Sequence, residues 1–102
     1  MAEIRLSQVA LKVLRFLLDA PFVAHSGAEI ARATHVSSGT LYPMLIRLER
    51  AGWLRSEWEQ IDPREQGRPR KRFYRLTSLG QNSANSALTD LQINPAVPVW
   101  TT

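Results

Sequence analysis

The sequence predicts a mainly α-helical chain with one small β-hairpin. Apolar residues recur every three or four positions before residue 52, and every second position after it. The 102 residues suffice for one domain, and there is no cysteine, so disulfides, thiolate catalysis and Cys-containing zinc sites are excluded. No apolar run is long enough to span a membrane and no signal-peptide pattern begins the chain. We therefore expect a cytoplasmic protein with no membrane partner.

The first helix is predicted from about Ser7, a suitable N-cap, to Ala20, just before Pro21. Its apolar residues cover much of its circumference, so it has two faces to bury. One face can meet the core of its own domain. The second face needs a further element or a partner subunit, and its stripe contains Leu6, Val9, Val13 and Phe16.

The second helix begins after Ser26, because Glu29 three positions later completes a capping box. It ends near Thr34, where His35 tolerates a left-handed turn. The second helix is short, and the third helix begins only a few residues after it ends. The two helices therefore have the spacing of a helix-turn-helix. A generic helical hairpin has the same spacing.

The third helix starts at Ser37 or Ser38 and stops before Gly52, with an inward stripe of leucine and methionine. A proline ring inside a helix crowds the carbonyl four residues earlier. Since Pro43 stands four residues after Gly39, either the regular helix begins near Thr40 or its first turn is distorted, and we predict the later start.

Two alternating segments follow, residues 54–59 and 71–76, joined by a polar loop of about ten residues. A long basic loop on a two-stranded ribbon is the wing of a winged helix. We expect Trp53 and Trp58 to lie in the core. A last helix runs from Thr77 or Ser78 to about Leu91. The predicted organisation is a winged helix-turn-helix over 1–77, a C-terminal helix over 78–91 and an irregular tail over 92–102.

The positive charge is concentrated. The net charge is only +4, but residues 64–75 contain six basic side chains and one acidic one. Such a patch on an otherwise balanced chain indicates a polyanionic partner, and double-stranded DNA fits the predicted fold.

The candidate DNA-binding residues lie on the outward face of the third helix and on the wing. In a helix-turn-helix the second helix enters the major groove, while arginines of a wing bind phosphates. Glu57 and Glu59 can pair with Lys71 and Arg75, which makes the other wing arginines the stronger phosphate candidates. The full set is Ser37, Ser38, Gly39, Thr40, Tyr42, Pro43, Arg47, Arg64, Arg68, Arg70, Lys71 and Arg72.

The sequence contains no pattern for catalysis or metal binding. His25 and His35 are ten positions apart with no carboxylate at ligand spacing, and there is no acid–base pair, nucleophile elbow or glycine-rich phosphate loop. We therefore expect no enzymatic activity, no cofactor and no metal.

Several motifs occur together at fixed spacing: SGTLYP over 38–43, Ala51-Gly52, GRPRKRFY over 67–74, and Leu76-Thr77 with Gly80. In this combination the sequence resembles the PadR family of winged-helix transcriptional regulators. The resemblance implies bacterial repressors that bind palindromic promoter DNA as homodimers, joined chiefly by the C-terminal and first helices. It assigns the dimer surface to Leu6, Val9, Val13, Phe16, Ala84, Leu88 and Leu91. Some members bind aromatic small molecules, but no residue pattern here matches such an inducer site.

The sequence thus predicts a sequence-specific DNA-binding regulator, a homodimeric repressor that reads its operator with the 38–51 helix and the 61–70 wing. The alternative is a winged helix that binds an acidic protein partner without specific DNA binding. Ile46 and Phe73 favour that alternative, because both are apolar where DNA-facing residues are expected.

Overall fold

The structure, a computed structural model, describes the backbone of residues 7–93 and the side chains of residues 7–90. It confirms the mainly helical winged-helix fold. The elements in chain order are α1 (Gln8–Asp19), β1 (His25–Ser26), α2 (Gly27–Thr34), α3 (Ser38–Arg50), β2 (Leu54–Trp58), α4 (Pro63–Gln66), β3 (Arg72–Leu76) and α5 (Ser78–Ile93).

The predicted caps of the first two helices are confirmed. The Ser7 hydroxyl accepts from the Ala10 amide at 3.1 Å, and the Ser26 hydroxyl accepts from the Glu29 amide at the same distance. Each bond satisfies an amide that has no partner inside the helix. His35 ends α2 in the left-handed region, with φ of 58°.

The predicted late start of α3 is wrong, because the helix begins at Ser38 and runs through Pro43. The amides of Thr40 and Leu41 both donate to the Ser37 carbonyl, at 3.1 and 2.8 Å, so the first turn is intact. Pro43 removes only the bond to the Gly39 carbonyl. Gly39 is exposed in that first turn, where solvent can bind the freed carbonyl.

The hairpin has the predicted alternation, with Leu54 opposite Leu76 and Ser56 opposite Tyr74. A third strand, β1, pairs antiparallel with β3 and gives the order β1-β3-β2. The sequence prediction missed β1, since two residues are too few to show a period. It also missed α4, which Asp62 caps through the Arg64 amide and Gly67 ends with φ of 67°.

The core lies between α1, α2, α3, α5 and the inward face of the hairpin. Trp53 packs against it as predicted. Trp58 does not: it is 56% exposed at the wing end of β2, where its ring contacts Arg72. The fully buried larger side chains are Val13, Leu14, Leu17, Ile30, Leu41, Leu45 and Leu48.

A junction of close backbone contacts fixes α5 to the turn after α3. The Thr77 hydroxyl donates to the Gly52 carbonyl at 2.6 Å, and the Thr77 amide donates to the Trp53 carbonyl at 3.0 Å. The same hydroxyl accepts from the Gly80 amide at 2.9 Å and so caps α5. A Cβ on Gly80 would overlap the Trp53 carbonyl oxygen. The Ala51-Gly52 and Leu76-Thr77-x-x-Gly80 motifs therefore have a structural role: they hold α5 against the turn that follows α3.

Candidate nucleic-acid interface

The outward face of α3 is open to solvent along its whole length. Its inward residues, Leu41, Met44, Leu45 and Leu48, are at most 3% exposed. The opposite side carries the predicted DNA-facing residues, all of them exposed: Ser38, Gly39, Thr40, Tyr42, Pro43, Ile46, Arg47 and Arg50. Since the buried stripe fixes the rotation of the helix, this polar face points away from the domain.

The first turn of α3 presents hydroxyl groups beside unpaired amides. Ser37 precedes the helix without capping it through its side chain, and its hydroxyl instead donates to the Thr40 hydroxyl at 3.2 Å. The amides of a first helical turn attract anions, and the helix dipole adds to that attraction. Phosphate oxygens and base edges are both suitable acceptors for this cluster.

Tyr42 is placed by a glycine of the preceding helix. A Cβ on Gly27 would lie 2.5 Å from the Tyr42 hydroxyl oxygen and 2.6 Å from a ring carbon, so the ring covers Gly27 directly. Tyr42 nevertheless stays 38% exposed. The sequence prediction missed Gly27, although a glycine right after an N-cap is a signal of close approach.

The wing is the loop and short helix between the two long strands, residues 59–71. The Glu59 amide donates to the Lys71 carbonyl at 2.8 Å and closes its base. Within it, the amides of Gly67 and Arg68 both bond to the Pro63 carbonyl. None of residues 60–70 is buried, so hydrogen bonds and not a core hold this loop in shape.

Arg68 makes a bidentate ion pair with Glu59, at 2.7 Å between Nη1 and Oε1 and 2.9 Å between Nη2 and Oε2. The sequence prediction, in which Glu57 and Glu59 pair with Lys71 and Arg75, is wrong: within the described side chains, Lys71 and Arg75 have no acidic partner. The hydrogen bonds from Arg68 lower the pKa of Glu59 to about 2, so the carboxylate is charged at any physiological pH.

Arg72 lies inside the hairpin network. Its Nε donates to the Ser56 hydroxyl at 3.1 Å, and that hydroxyl donates to Glu49 at 2.5 Å, near the end of α3. Its guanidinium carbon stands 4.9 Å from the ring centroid of Trp58, a cation–π distance. The Arg72 side chain also interacts with the hydroxyl group of Tyr74, so its guanidinium group is engaged within the hairpin.

The remaining wing cations have fewer contacts. Arg70 donates through Nε to the Ile61 carbonyl at 3.1 Å. Among the described residues, the side chains of Arg64, Lys71 and Arg47 form no hydrogen bond or ion pair, and all three are exposed. An external phosphate meets Arg64 and Arg47 without competition from a bonded partner, whereas the charge of Lys71 also helps to lower the pKa of Glu59.

The predicted dimer residues divide into three groups. Val13 and Ala84 are 0% exposed and belong to the core of a single chain, so they cannot form an open surface. Val9, Phe16 and Leu88 are half-buried. Leu6 and the side chain of Leu91 lie outside the described residues.

Neither histidine is arranged as a metal ligand. His25 is buried against Phe16, with ring centroids 4.8 Å apart, and its Nδ1 lies 3.0 Å from Glu29 Oε2. Within the described part of the chain no three His, Asp or Glu side chains converge on one point. The helices described there are also too short or too polar to cross a membrane.

A family model for the PadR-like transcriptional regulators matches residues 24–86, which include α2, α3, the wing and the start of α5. No curated protein matches the chain. A PadR-like transcription factor from Bacteroides fragilis has a similar structure, with 21% identity and a TM-score of 0.67, over 83% of this chain and 84% of that one. The protein smu.1704 from Streptococcus mutans UA159 aligns with 24% identity and a TM-score of 0.65, over 90% and 85%.

A third similar structure is that of overoxidized AbfR bound to DNA, a protein of Staphylococcus epidermidis. It shares 31% identity over 79% of this chain, with a TM-score of 0.63. The chain spans only 54% of that protein's length.

Proposed function

Because the chain belongs to the PadR-like family of transcriptional regulators, we propose that it binds a palindromic operator as a homodimer and represses transcription there. The family fixes the coarse function, a DNA-binding regulator without enzymatic activity. The operator, the dimer and the direction of regulation are the proposed parts.

The observation that carries the proposal is the open polar face of α3. A helix of 13 residues fits the major groove, where an arginine recognises guanine and hydroxyl groups bind bases or phosphates. We assign base recognition to Arg47, Thr40 and Tyr42. Ser37, Ser38, Gly39 and Pro43 complete the surface at the helix start, where the backbone comes closest to the DNA.

The wing contributes phosphate contacts beside α3. Among the described residues, the side chains of Arg64 and Lys71 form no hydrogen bond or ion pair, and Arg70 keeps its Nη groups unbonded. These amount to about three phosphate-binding cations per subunit, which predicts a log–log salt slope of about −3.

Dimerisation follows from the size of the site, because one winged helix covers only a half-site. Two copies related by a two-fold axis place their recognition helices about 34 Å apart, one turn of DNA. We propose that α1 and α5 form the interface, with Val9, Phe16 and Leu88 as contacts. Bound at a promoter in the cytoplasm, such a dimer excludes polymerase sterically.

The test is fluorescence anisotropy with a labelled duplex from the region upstream of the protein's own gene, titrated with salt and unlabelled random duplex. We expect at least about a thousandfold preference for one site over random DNA. Equal binding to both at near-physiological salt would contradict the specific-regulator proposal. A monomeric mass by light scattering at micromolar concentration would contradict the dimer.

A second candidate function is protein recognition by the same face. Ile46 lies at the centre of the outward face of α3 and is 47% exposed. A DNA-reading helix usually carries polar groups at such a position, although a thymine methyl group can also contact Ile46. Replacing Ile46 with Ala separates the two: loss of preference for one A·T pair supports DNA reading. Unchanged DNA binding at every position favours a protein partner.

A further inference from the structure

The contact between Arg68 and Glu59 differs from every other contact of a wing cation. Two of its hydrogen bonds join charged groups at 2.7 and 2.9 Å, and Nη1 also donates to the Pro69 carbonyl at 3.2 Å. These three bonds use both N–H groups of Nη1 and one of Nη2, which leaves only the Nε–H and one Nη2–H for a further ligand. A bidentate geometry also fixes the plane of the guanidinium group.

The partner of Arg68 stands at the base of the wing. Besides its two bonds with Arg68, Glu59 Oε1 accepts a hydrogen bond from the Lys71 amide at 3.2 Å. The Glu59 amide in turn donates to the Lys71 carbonyl. One carboxylate therefore joins both strands at the point where they separate into the loop. Its side chain is 18% exposed, against 38% for Arg68.

The backbone of Arg68 is tied to the other end of the loop. Its amide bonds to the Pro63 carbonyl, directly after the left-handed turn at Gly67. The ion pair thus connects the end of α4 to the end of β2 across a loop with no buried residue. Without it, backbone bonds and the single bond from Arg70 Nε to the Ile61 carbonyl remain to hold the loop.

We propose that Arg68 is a positioning residue and not a phosphate ligand: its ion pair with Glu59 folds the wing into the one shape in which Arg70 and Lys71 meet the DNA backbone beside α3. The shape of the wing is a property of the free protein. Only its effect on DNA affinity rests on the proposed function.

The decisive variant is Glu59→Gln. If Arg68 were a phosphate ligand, removing its acidic partner would free a cation, remove a negative charge and strengthen DNA binding. As a positioning pair, Glu59→Gln and Arg68→Ala weaken binding alike, each by about tenfold, the loss expected from one charged hydrogen-bonded pair. The double variant is no weaker than either single one, because both changes remove the same interaction.

Binding is measured by anisotropy on a duplex selected from a random library with the wild-type protein. Amide hydrogen exchange of Lys71 and Arg68, measured without DNA, reports the shape of the wing independently. We expect both single variants to accelerate these two amides at least several-fold, at unchanged exchange of Leu45 in the core. Arg64→Ala is the matched control, an unpaired wing cation whose loss leaves the exchange unchanged.

Tighter DNA binding by Glu59→Gln would overturn the proposal, as would unchanged exchange of Lys71 and Arg68 in both variants. If the wild-type protein binds no duplex, the proposed function fails while exchange still decides the role of the pair. Weaker DNA binding by either variant, without faster exchange of the Lys71 and Arg68 amides, would also contradict the positioning role of Arg68.

Discussion

The outward face of α3 and the wing are both basic and exposed, but different forces hold them in place. α3 is fixed by four buried apolar side chains on its other side, so Arg47 on its outward face does not have to hold the helix in place. The wing has no buried residue over 60–70, and two of its arginines, Arg68 and Arg70, hold it together through hydrogen bonds. In a loop without a core, part of the positive charge is therefore structural, and a count of arginines overestimates the contacts with DNA.

Among the variants that test this comparison, we expect Leu45→Ala to have the largest effect, a loss of folding stability. Leu45 is 0% exposed, and truncating a buried leucine lowers the free energy of unfolding by about 2–5 kcal/mol. Urea denaturation followed by circular dichroism measures it. Ile46→Ala, one position along, is the matched control and should cost within about 0.5 kcal/mol. Equal costs for the two variants would mean that the core does not fix the helix.

A smaller effect separates base reading from phosphate binding. We expect Arg47→Ala to reduce discrimination at one base pair by about 1–3 kcal/mol, since a bidentate contact with guanine is lost. Arg64→Ala should weaken all duplexes alike and make the salt slope shallower by about one unit. Anisotropy against a set of single-base-pair variants measures both. The opposite assignment, with specificity lost in Arg64→Ala alone, would place base reading on the wing.

The smallest effect on folding is expected from Gly39→Ala. A Cβ at this position meets no atom within 4 Å, and alanine favours helix by at most about 1 kcal/mol over glycine. Thermal unfolding should therefore show equal or slightly higher stability, while DNA affinity falls because the added methyl group faces the duplex. Gly80→Ala is the contrasting control and should destabilise the fold, because its Cβ overlaps the Trp53 carbonyl. Wild-type affinity in Gly39→Ala would remove the helix start from the interface.

Most of the helices and both long strands could be predicted because their signals are local. Ser7, Ser26 and His35 act within three or four residues of themselves, and the alternation of Leu54 and Ser56 needs only its own strand. The late start predicted for α3 failed because a proline costs one bond, and in an exposed first turn that cost is small.

The interface could be predicted as a face but not as a set of contacts. The inward stripe of α3 determines which residues point outward, so that part needed no tertiary information. The partner of Arg68 depends on how a loop of about ten residues folds back, and Glu59 is nine positions away. Trp58 was misplaced for a related reason: alternation gives the side of a strand but not which residues along it are covered.

The freedom of the α3 face has an evolutionary consequence. Thr40, Ile46 and Arg47 are exposed and lie outside the buried core, so exchanging them changes the stability of the fold little. Successive substitutions there can retarget the protein to a new operator one base pair at a time, without a compensating change in the core. Tyr42 is the exception. Its ring rests on Gly27, so any side chain at 27 displaces the ring of Tyr42 and changes the DNA-facing surface with it.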